Sequence, residues 1–414
     1  MKQETTQVAS TSMRPVWFLA ASQGFQALST AVFTVSVALV AGKTSDFLGL
    51  GLILAARTLP TVVVALVGGV AADRWRKKTV AVATLLGTAV VSLLIAAVIP
   101  VTGLTGYIHV LALVAGLISA FGAPSLYSLL PAIVAKENNF RANALVRTWR
   151  NGGMLAGPVV AGLFAAQWGA ASGVAVSAVC AGVGALFIAM LPVTEQARPV
   201  RSIRGDLAEA VGFARHTRWF TVMIGFWAVY LALQGGAGGV VQPVVVAQIS
   251  GDRVWSWMAA CLAAGYIAGS VGATRWQMSR HLVTGSVVWV GLSCVPLVAV
   301  ALTDVVPVWL VASFIAGVGL EVSGVAWGSA LQTRVDSDNI GKVSSLDYAV
   351  SFGFVPVGYA VFGVVGSVAD GRVVLAVSGV VMAVFAVTAG LVSWAQRFDP
   401  LPDAPTSDTA APVG

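Results

Sequence analysis

FLGLGLILAARTLPTVVVALVGGVAADRWRKKTVAVATLLGTAVVSLLIAAVI, residues 47–99, decides the fold. Two apolar stretches, 47–72 and 79–99, flank the charged hexapeptide DRWRKK at 73–78. An α-helix needs about 20 mostly apolar residues to cross a bilayer, and each stretch meets that length. The same alternation of apolar run and short polar connection continues in both directions. It predicts twelve spans, at 15–41, 47–72, 79–99, 105–134, 142–166, 171–192, 219–247, 254–274, 282–303, 306–333, 344–368 and 373–395.

Composition supports that reading. Hydrophobic residues make up 57% of the 414, and charged residues only 10%, against about 25% in an ordinary soluble domain. So few charges cannot coat a soluble surface, and so many apolar residues exclude a disordered chain. Twelve spans of about 20 residues would use about 240 apolar positions, close to the number present. The net charge is +7, but the basic residues lie in short clusters between apolar runs. Such clusters set membrane topology, and no nucleic-acid partner is expected. Cys180, Cys261 and Cys294 each sit inside an apolar run, and His109, His216 and His281 are far apart. Neither set has disulfide or metal-ligand spacing, so neither a metal nor a cofactor is expected.

The connections fall into two alternating sets. Of the 24 Lys and Arg residues, Lys43, Arg253 and Arg372 lie in the minimal set, and Arg57, Arg147 and Arg150 lie within spans. The remaining 18 belong to the second set or the tails, and the positive-inside rule places that side in the cytoplasm. The expectation is a multi-pass protein of the cell membrane with both termini cytoplasmic. The first apolar run is longer than a signal-peptide core and carries Gln23 and Gln26, which predicts a retained span. The chain then divides into an N-tail (1–14), a six-helix half (15–192), a cytoplasmic linker (193–218), a second six-helix half (219–395) and a C-tail (396–414). Both tails are polar or Pro-rich and are expected to be disordered. Within the linker, Leu207, Val211 and Ala214 share one helical face, as in a short helix lying on a membrane surface.

A shift of 201 residues superposes the two halves without gaps. Arg74 and Trp75 fall on Arg275 and Trp276. Leu130, Val134, Asn138, Arg141 and Leu145 fall on Leu331, Val335, Asn339, Lys342 and Leu346, and Gly152, Gly157 and Gly162 fall on Gly353, Gly358 and Gly363. A constant offset across separate loops indicates a duplicated six-span unit. Spans three, six, nine and twelve contain no Asp, Glu, Lys, Arg or His. Charges are costly in lipid and normally face a bundle interior, so every third helix is expected to face lipid.

GGVAADRWRKK (68–78) resembles the signature loop of the major facilitator superfamily, with Gly69, Asp73, Arg74, Lys77 and Lys78 at matching positions and Arg76 where a second glycine is usual. GGMLAGPVVAG (152–162) is similar to the glycine–proline motif of antiporters in that superfamily. Gly153, Gly157, Pro158 and Gly162 match, and Ala161 replaces a glycine. These small residues permit tight helix packing. LAARTLP (54–60) and the stretch LPAIV…RANAL (130–145) look most like the branch containing enterobactin exporters and macrolide efflux proteins. The arginine that many proton-coupled drug exporters carry in the fourth span is missing here.

The resemblance implies an all-α membrane protein of twelve helices in two pseudo-symmetric halves, working by alternating access. It also implies a cavity lined by spans one, four, seven and ten, which offer Gln23, Gln26, Tyr127, Tyr230, Gln234 and Glu321. Arg57 and Arg150, deep in spans two and five, are added to that cavity on the cost of burying charge. The expected function is secondary active export of a small amphipathic molecule such as a drug, siderophore or secondary metabolite, with protons as the driving partner and the protein acting as a monomer. A nutrient importer or facilitator is the alternative, and a receptor or enzyme on the same scaffold a remote one. Too few polar side chains for a sugar or peptide carrier favour export, and no phosphate-cradling loop or zinc-protease motif is present. Glu321, the only carboxylate near the midplane, is the expected proton-coupling site. Asp73 is expected to latch the cytoplasmic side by capping the eleventh span near Lys342–Ser345. Two deep arginines against one glutamate predict a neutral or anionic substrate.

Overall fold

A computed structural model describes residues 13–67, 76–104, 106–134, 139–192, 203–276, 281–336 and 339–399. Within them the chain is helical, with no strand: α1 (Arg14–Thr44), α2 (Phe47–Val67), α3 (Lys77–Thr102), α4 (Tyr107–Ile133), α5 (Asn139–Trp168), α6 (Ala170–Ala189), the short α7 (Ile203–His216), α8 (Arg218–Ser250), α9 (Asp252–Trp276), α10 (Leu282–Leu302), α11 (Val306–Arg334), α12 (Ile340–Val368) and α13 (Gly371–Ala395). In hydrocarbon every backbone polar group must be satisfied within the segment, and a helix does that. Ten of these helices are long and apolar enough to cross a membrane, and Tyr107–Gly122 forms a shorter apolar one. The remaining long helix, α5, carries Arg141, Arg147 and Arg150 in its first half. The twelve expected spans correspond to α1–α6 and α8–α13.

The duplication seen in the sequence is a duplication of packing. In the first group α1 packs on α5 and α6, α2 on α4, and α3 on α4 and α6. In the second group α8 packs on α12 and α13, α9 on α11, and α10 on α11 and α13. The second set of pairs is the first set shifted by one half. One residue pair carries this repeat. Gly157 of α5 seats on Ala31 of α1, and Gly358 of α12 seats on Ala232 of α8. Both members of the second pair lie 201 positions after those of the first. At either glycine a methyl group would overlap the facing helix.

The two groups meet through two equivalent contacts, α2 with α12 and α5 with α9. A third contact joins the ends of α1 and α8 at the end of the bundle opposite the termini. There Gln248 Nε2 donates to Ser45 Oγ at 2.8 Å. Gly363 and Gly366 of α12 pack on Phe47, and Gly371 on Val245. The bundle is therefore tied shut at this far end.

Exposed apolar side chains mark the lipid-facing rim. α3 shows Leu86, Val90, Leu93 and Leu94, and α13 shows Val373, Val377, Val380, Val384, Val387 and Leu391, both at helical spacing. The expectation that every third helix faces lipid holds best for these two. α10 is more enclosed, with Val288 and Leu302 its exposed large apolar residues among those described.

Three local departures were not foreseen. α8 passes through a π-helical segment at Gln234–Val241. Its glycines let α12 come close, with Gly235 and Gly239 against Tyr359 and Gly236 against Phe362. α12 breaks at Phe354, two residues before Pro356, whose ring and missing N–H disfavour a continuous helix. Finally, residues 396–399, expected to belong to a disordered C-tail, are ordered. Phe398 is buried, and Asp399 accepts hydrogen bonds from the backbone N–H groups of Val283 (3.0 Å) and Thr284 (2.9 Å). Arg334 closes the arrangement with an ion pair to Asp399 at 2.8 Å and a bond to the Phe398 carbonyl. A carboxylate at the unsatisfied N-terminus of α10 is favoured by geometry and by the helix dipole, which orders four residues beyond the last span.

The glycine seats yield a paired test. Overpacking a close contact costs about 1–3 kcal/mol, whereas alanine in an open helical site gains up to about 1 kcal/mol over glycine. Gly157→Ala and Gly358→Ala are each expected to lower the thermal unfolding midpoint of the purified protein. Gly152→Ala, with nothing within 4 Å of the added carbon, is expected to leave it unchanged or raise it.

Candidate functional site

Glu321 lies on α11, partly buried. Gly269 of α9 backs onto it, so that a methyl group there would come within 3.0 Å of Glu321 Cβ. Its electrostatic partners are Arg147 and Arg150 of α5, and Tyr266 of α9 lies in its field. Arg147 and Arg150 are three residues apart and share a helix face. α5 packs on α9, which in turn packs on α11. A carboxylate of one group thus lies in the field of two guanidinium groups of the other. Arg147 and Tyr266 were not among the expected site residues. The three-residue arginine spacing was a usable signal for Arg147, while a tyrosine among small residues gave none for Tyr266.

Arg57 lies on α2 with its guanidinium carbon 3.9 Å from the centre of the Phe33 ring on α1. Its Nη1 is buried and has no hydrogen-bond partner. A cation over an aromatic face is stabilised by the ring quadrupole, but that leaves the Nη1 donor unused. Gln23 is buried and Gln26 half-buried on α1. Tyr127 lies on α4, with its side chain outside the described residues.

Tyr230 and Gln234 belong to a hydrogen-bonded chain. The Tyr230 hydroxyl is 2.8 Å from the Val290 carbonyl and 3.0 Å from Ser293 Oγ, and Ser293 Oγ donates to Gln234 Oε1 at 3.1 Å. Tyr230 was expected on a cavity wall. It is instead fully buried and ties α8 to α10, because a buried hydroxyl must find a partner. Gln234 remains partly exposed at the start of the π-helical segment.

A second membrane carboxylate, Asp347 of α12, accepts from Trp327 Nε1 at 3.1 Å and lies 3.1 Å from Ser351 Oγ. Trp327 also joins the ring cluster of Trp219, Phe220 and Trp227. Asp347 is therefore held within the second group, whereas Glu321 faces the first.

Of the signature loop, Gly69, Asp73 and Arg74 lie outside the described residues. Lys77 opens α3, and Lys78 Nζ donates to the Leu191 carbonyl at 2.7 Å, just past the end of α6, where carbonyls lack partners. Lys342, at the expected docking point of Asp73, forms an ion pair with Glu209 of α7. Of the glycine–proline motif, Gly153 packs on the Gly24 carbonyl, Gly157 on Ala31, and Gly162 on Ser256 across the boundary between groups. Pro158 is buried within a continuous α5.

Two like helical groups, joined by symmetric contacts and sharing charges across their boundary, define a membrane carrier. The chain belongs to the Major Facilitator Superfamily, whose sequence profile matches residues 19–241, more than half of its length. It is 25% identical over 326 residues to the enterobactin exporter EntS of Salmonella typhimurium, and equally so to that of Salmonella paratyphi A, covering 76% of either chain. In fold it is similar to the nucleoside transporter NupG, with a TM-score of 0.71 at 13% identity over 92% of this chain and 99% of the other. It is also similar to a peptide transporter POT crystallised with sulfate, with a TM-score of 0.70 at 13% identity over 93% and 95%. The protein is a transporter embedded in a membrane and acts on a small molecule.

The Tyr230 chain has a measurable consequence. A net hydrogen bond contributes about 1 kcal/mol. Tyr230→Phe is expected to lower the unfolding midpoint by a few degrees while leaving the relative transport of different substrates unchanged.

Proposed function

We infer that this protein exports a small amphipathic molecule, neutral or anionic, from the cytoplasm in exchange for protons. The cross-boundary cluster of Glu321 with Arg147 and Arg150 carries the reading. While Glu321 is charged, it attracts the two arginines of the other group. Protonation removes that attraction, so the groups separate more readily and the conformational equilibrium shifts. A proton arriving at Glu321 is thereby converted into a change of access. The relation to enterobactin exporters and the scarcity of polar side chains in the bundle support export.

The end bearing the termini is cytoplasmic in this reading, since it carries most of the basic loops. The far-end tie of Ser45 and Gln248 then closes the bundle to the outside, and the monomer works in the cell membrane. Arg57, with a buried Nη1 lacking a partner, supports selection by charge. A buried unsatisfied cationic donor favours a ligand oxygen and disfavours a lipophilic cation.

Cells expressing the protein are expected to accumulate less substrate, and a protonophore should abolish the difference. Uptake instead of extrusion would overturn export. Glu321→Gln is expected to cut protonophore-sensitive export at least tenfold in a protein that still purifies folded. Undiminished export by that variant would remove Glu321 from coupling.

Matched cationic, neutral and anionic compounds test selectivity. Neutral and anionic members should be exported and the cation poorly. Arg57→Ala should reduce export of the anion several-fold more than that of the neutral compound. Preferential export of ethidium-like cations, unchanged by Arg57→Ala, would contradict this selectivity.

A further inference from the structure

Asp347 of α12 has no part in the transport reading. It stands seven residues into the helix, roughly 10 Å from its start, and is partly buried. Its Oδ2 accepts from Trp327 Nε1 of α11, and Ser351 Oγ donates to its Oδ1, each at 3.1 Å. Trp327 and Ser351 are both buried. Burial and these two neutral donors are the influences on the charge of Asp347, and no ionised group is among them. Glu321 differs, since it lies in the field of two arginines. Burying a carboxylate without a cation is costly, and uptake of a proton removes that cost.

The duplication shows that packing alone does not call for a carboxylate here. Shifted back by 201 positions, Trp327, Asp347 and Ser351 fall on Leu126, Val146 and Arg150. Leu126 and Val146 are buried in one apolar cluster. The second half thus has a donor and a carboxylate where the first has two aliphatic side chains. The hydrogen bonds also suit both protonation states. The charged form accepts from Trp327 and Ser351. In the protonated form a proton from water forms an O–H bond at Oδ1 and is donated to Ser351 Oγ, because a hydroxyl can donate or accept. Oδ2 still accepts from the indole, so Asp347 keeps both partners.

The first segment of α12, Ile340–Gly353, packs on α2, α7, α8 and α11. Its own Lys342 pairs with Glu209 of α7, and Arg334 of α11 pairs with Asp399. Arg215, His216 and Arg218, where α7 meets α8, are exposed. Arg57 of α2 lies over Phe33, and Glu321 of α11 has Arg147 and Arg150. Arg204 and Asp206 of α7 have side chains outside the described residues.

We propose that Asp347 is a second proton-binding site of this protein, and that its proton loosens the tie between α11 and the first segment of α12. A hydrogen bond to a charged carboxylate is roughly twice as strong as one between neutral groups. Protonation therefore weakens the Trp327 bond without breaking it. The break at Phe354 separates this segment from the rest of α12. A methyl group on its Gly353 would touch Val62 of α2 at 3.5 Å, so the segment borders the first group. The site rests on neither the direction of transport nor coupling at Glu321.

The test is infrared difference spectroscopy of the purified full-length protein between neutral and acid pH, because a protonated carboxyl has a carbonyl band that a carboxylate lacks. The band gained on acidification should lose one component in Asp347→Asn and keep that component in Glu321→Gln. Should Asp347→Asn fail to fold, Asp347→Val carries the side chain of the first half and should lose the same component. A band in these variants that matches the wild type throughout the titration would overturn the proton site. Trp327→Phe keeps a ring in place and removes a donor to the charged form, so the Asp347 component should persist to a pH about one unit higher. An unmoved titration would overturn Trp327 as the tie. At neutral pH the backbone amides of 340–353 should exchange hydrogen several-fold faster in Asp347→Asn, which mimics the neutral carboxyl, than in the wild type. Equal exchange would overturn the loosening. Neither readout measures transport, so failure here leaves the export reading, which the Glu321→Gln export assay decides, untouched.

Discussion

Close approach of helix backbones at small residues is the constraint on which this structure rests. Lipid chains are as apolar as leucine, so helices in a bilayer gain little from hiding apolar surface from one another. They associate through van der Waals contact, which small residues maximise. Gly157 on Ala31 and Gly358 on Ala232 set the distance between the innermost helices of each group. Gly265 and Gly317 do the same between α9 and α11, as does Gly116 against the Arg57 carbonyl between α4 and α2. Large apolar side chains are left for the lipid-facing rim, as on α3 and α13.

The same economy concentrates chemistry where the two groups meet. Within each group, polar atoms are largely spent on structure, as in the Tyr230–Ser293–Gln234 chain and the Trp327–Asp347–Ser351 set. Across the boundary, Glu321 lies in the field of Arg147 and Arg150, and Lys43 and Arg253 line one cavity at the far end. Interactions inside a group are present in every rigid-body arrangement of the two. Those across the boundary are the ones that depend on how the two groups sit against each other.

The ends of the bundle are held by groups that complete helix termini. Asp399 caps α10, Lys78 satisfies a carbonyl beyond α6, and Asp370 caps α13. The ion pair of Glu209 and Lys342 fastens α7 to α12, so the helix between the two groups is attached to the second of them.

The sequence by itself determined the class of protein, the approximate spans, the duplication and the short list of intramembrane charges. Each follows from local composition or from a fixed offset, and neither needs a third dimension. It also marked Gly157 and Gly358 as equivalent without showing what they touch. Tertiary structure alone decided which charges share a boundary. Glu321 falls in the field of two arginines more than 170 positions away, Tyr230 turns into a helix contact, and Asp399 folds back onto α10. Periodicity gives the face of a helix on which a side chain lies. Which other helix comes to face it depends on backbone approach at a few glycines, and that is a property of the packed bundle.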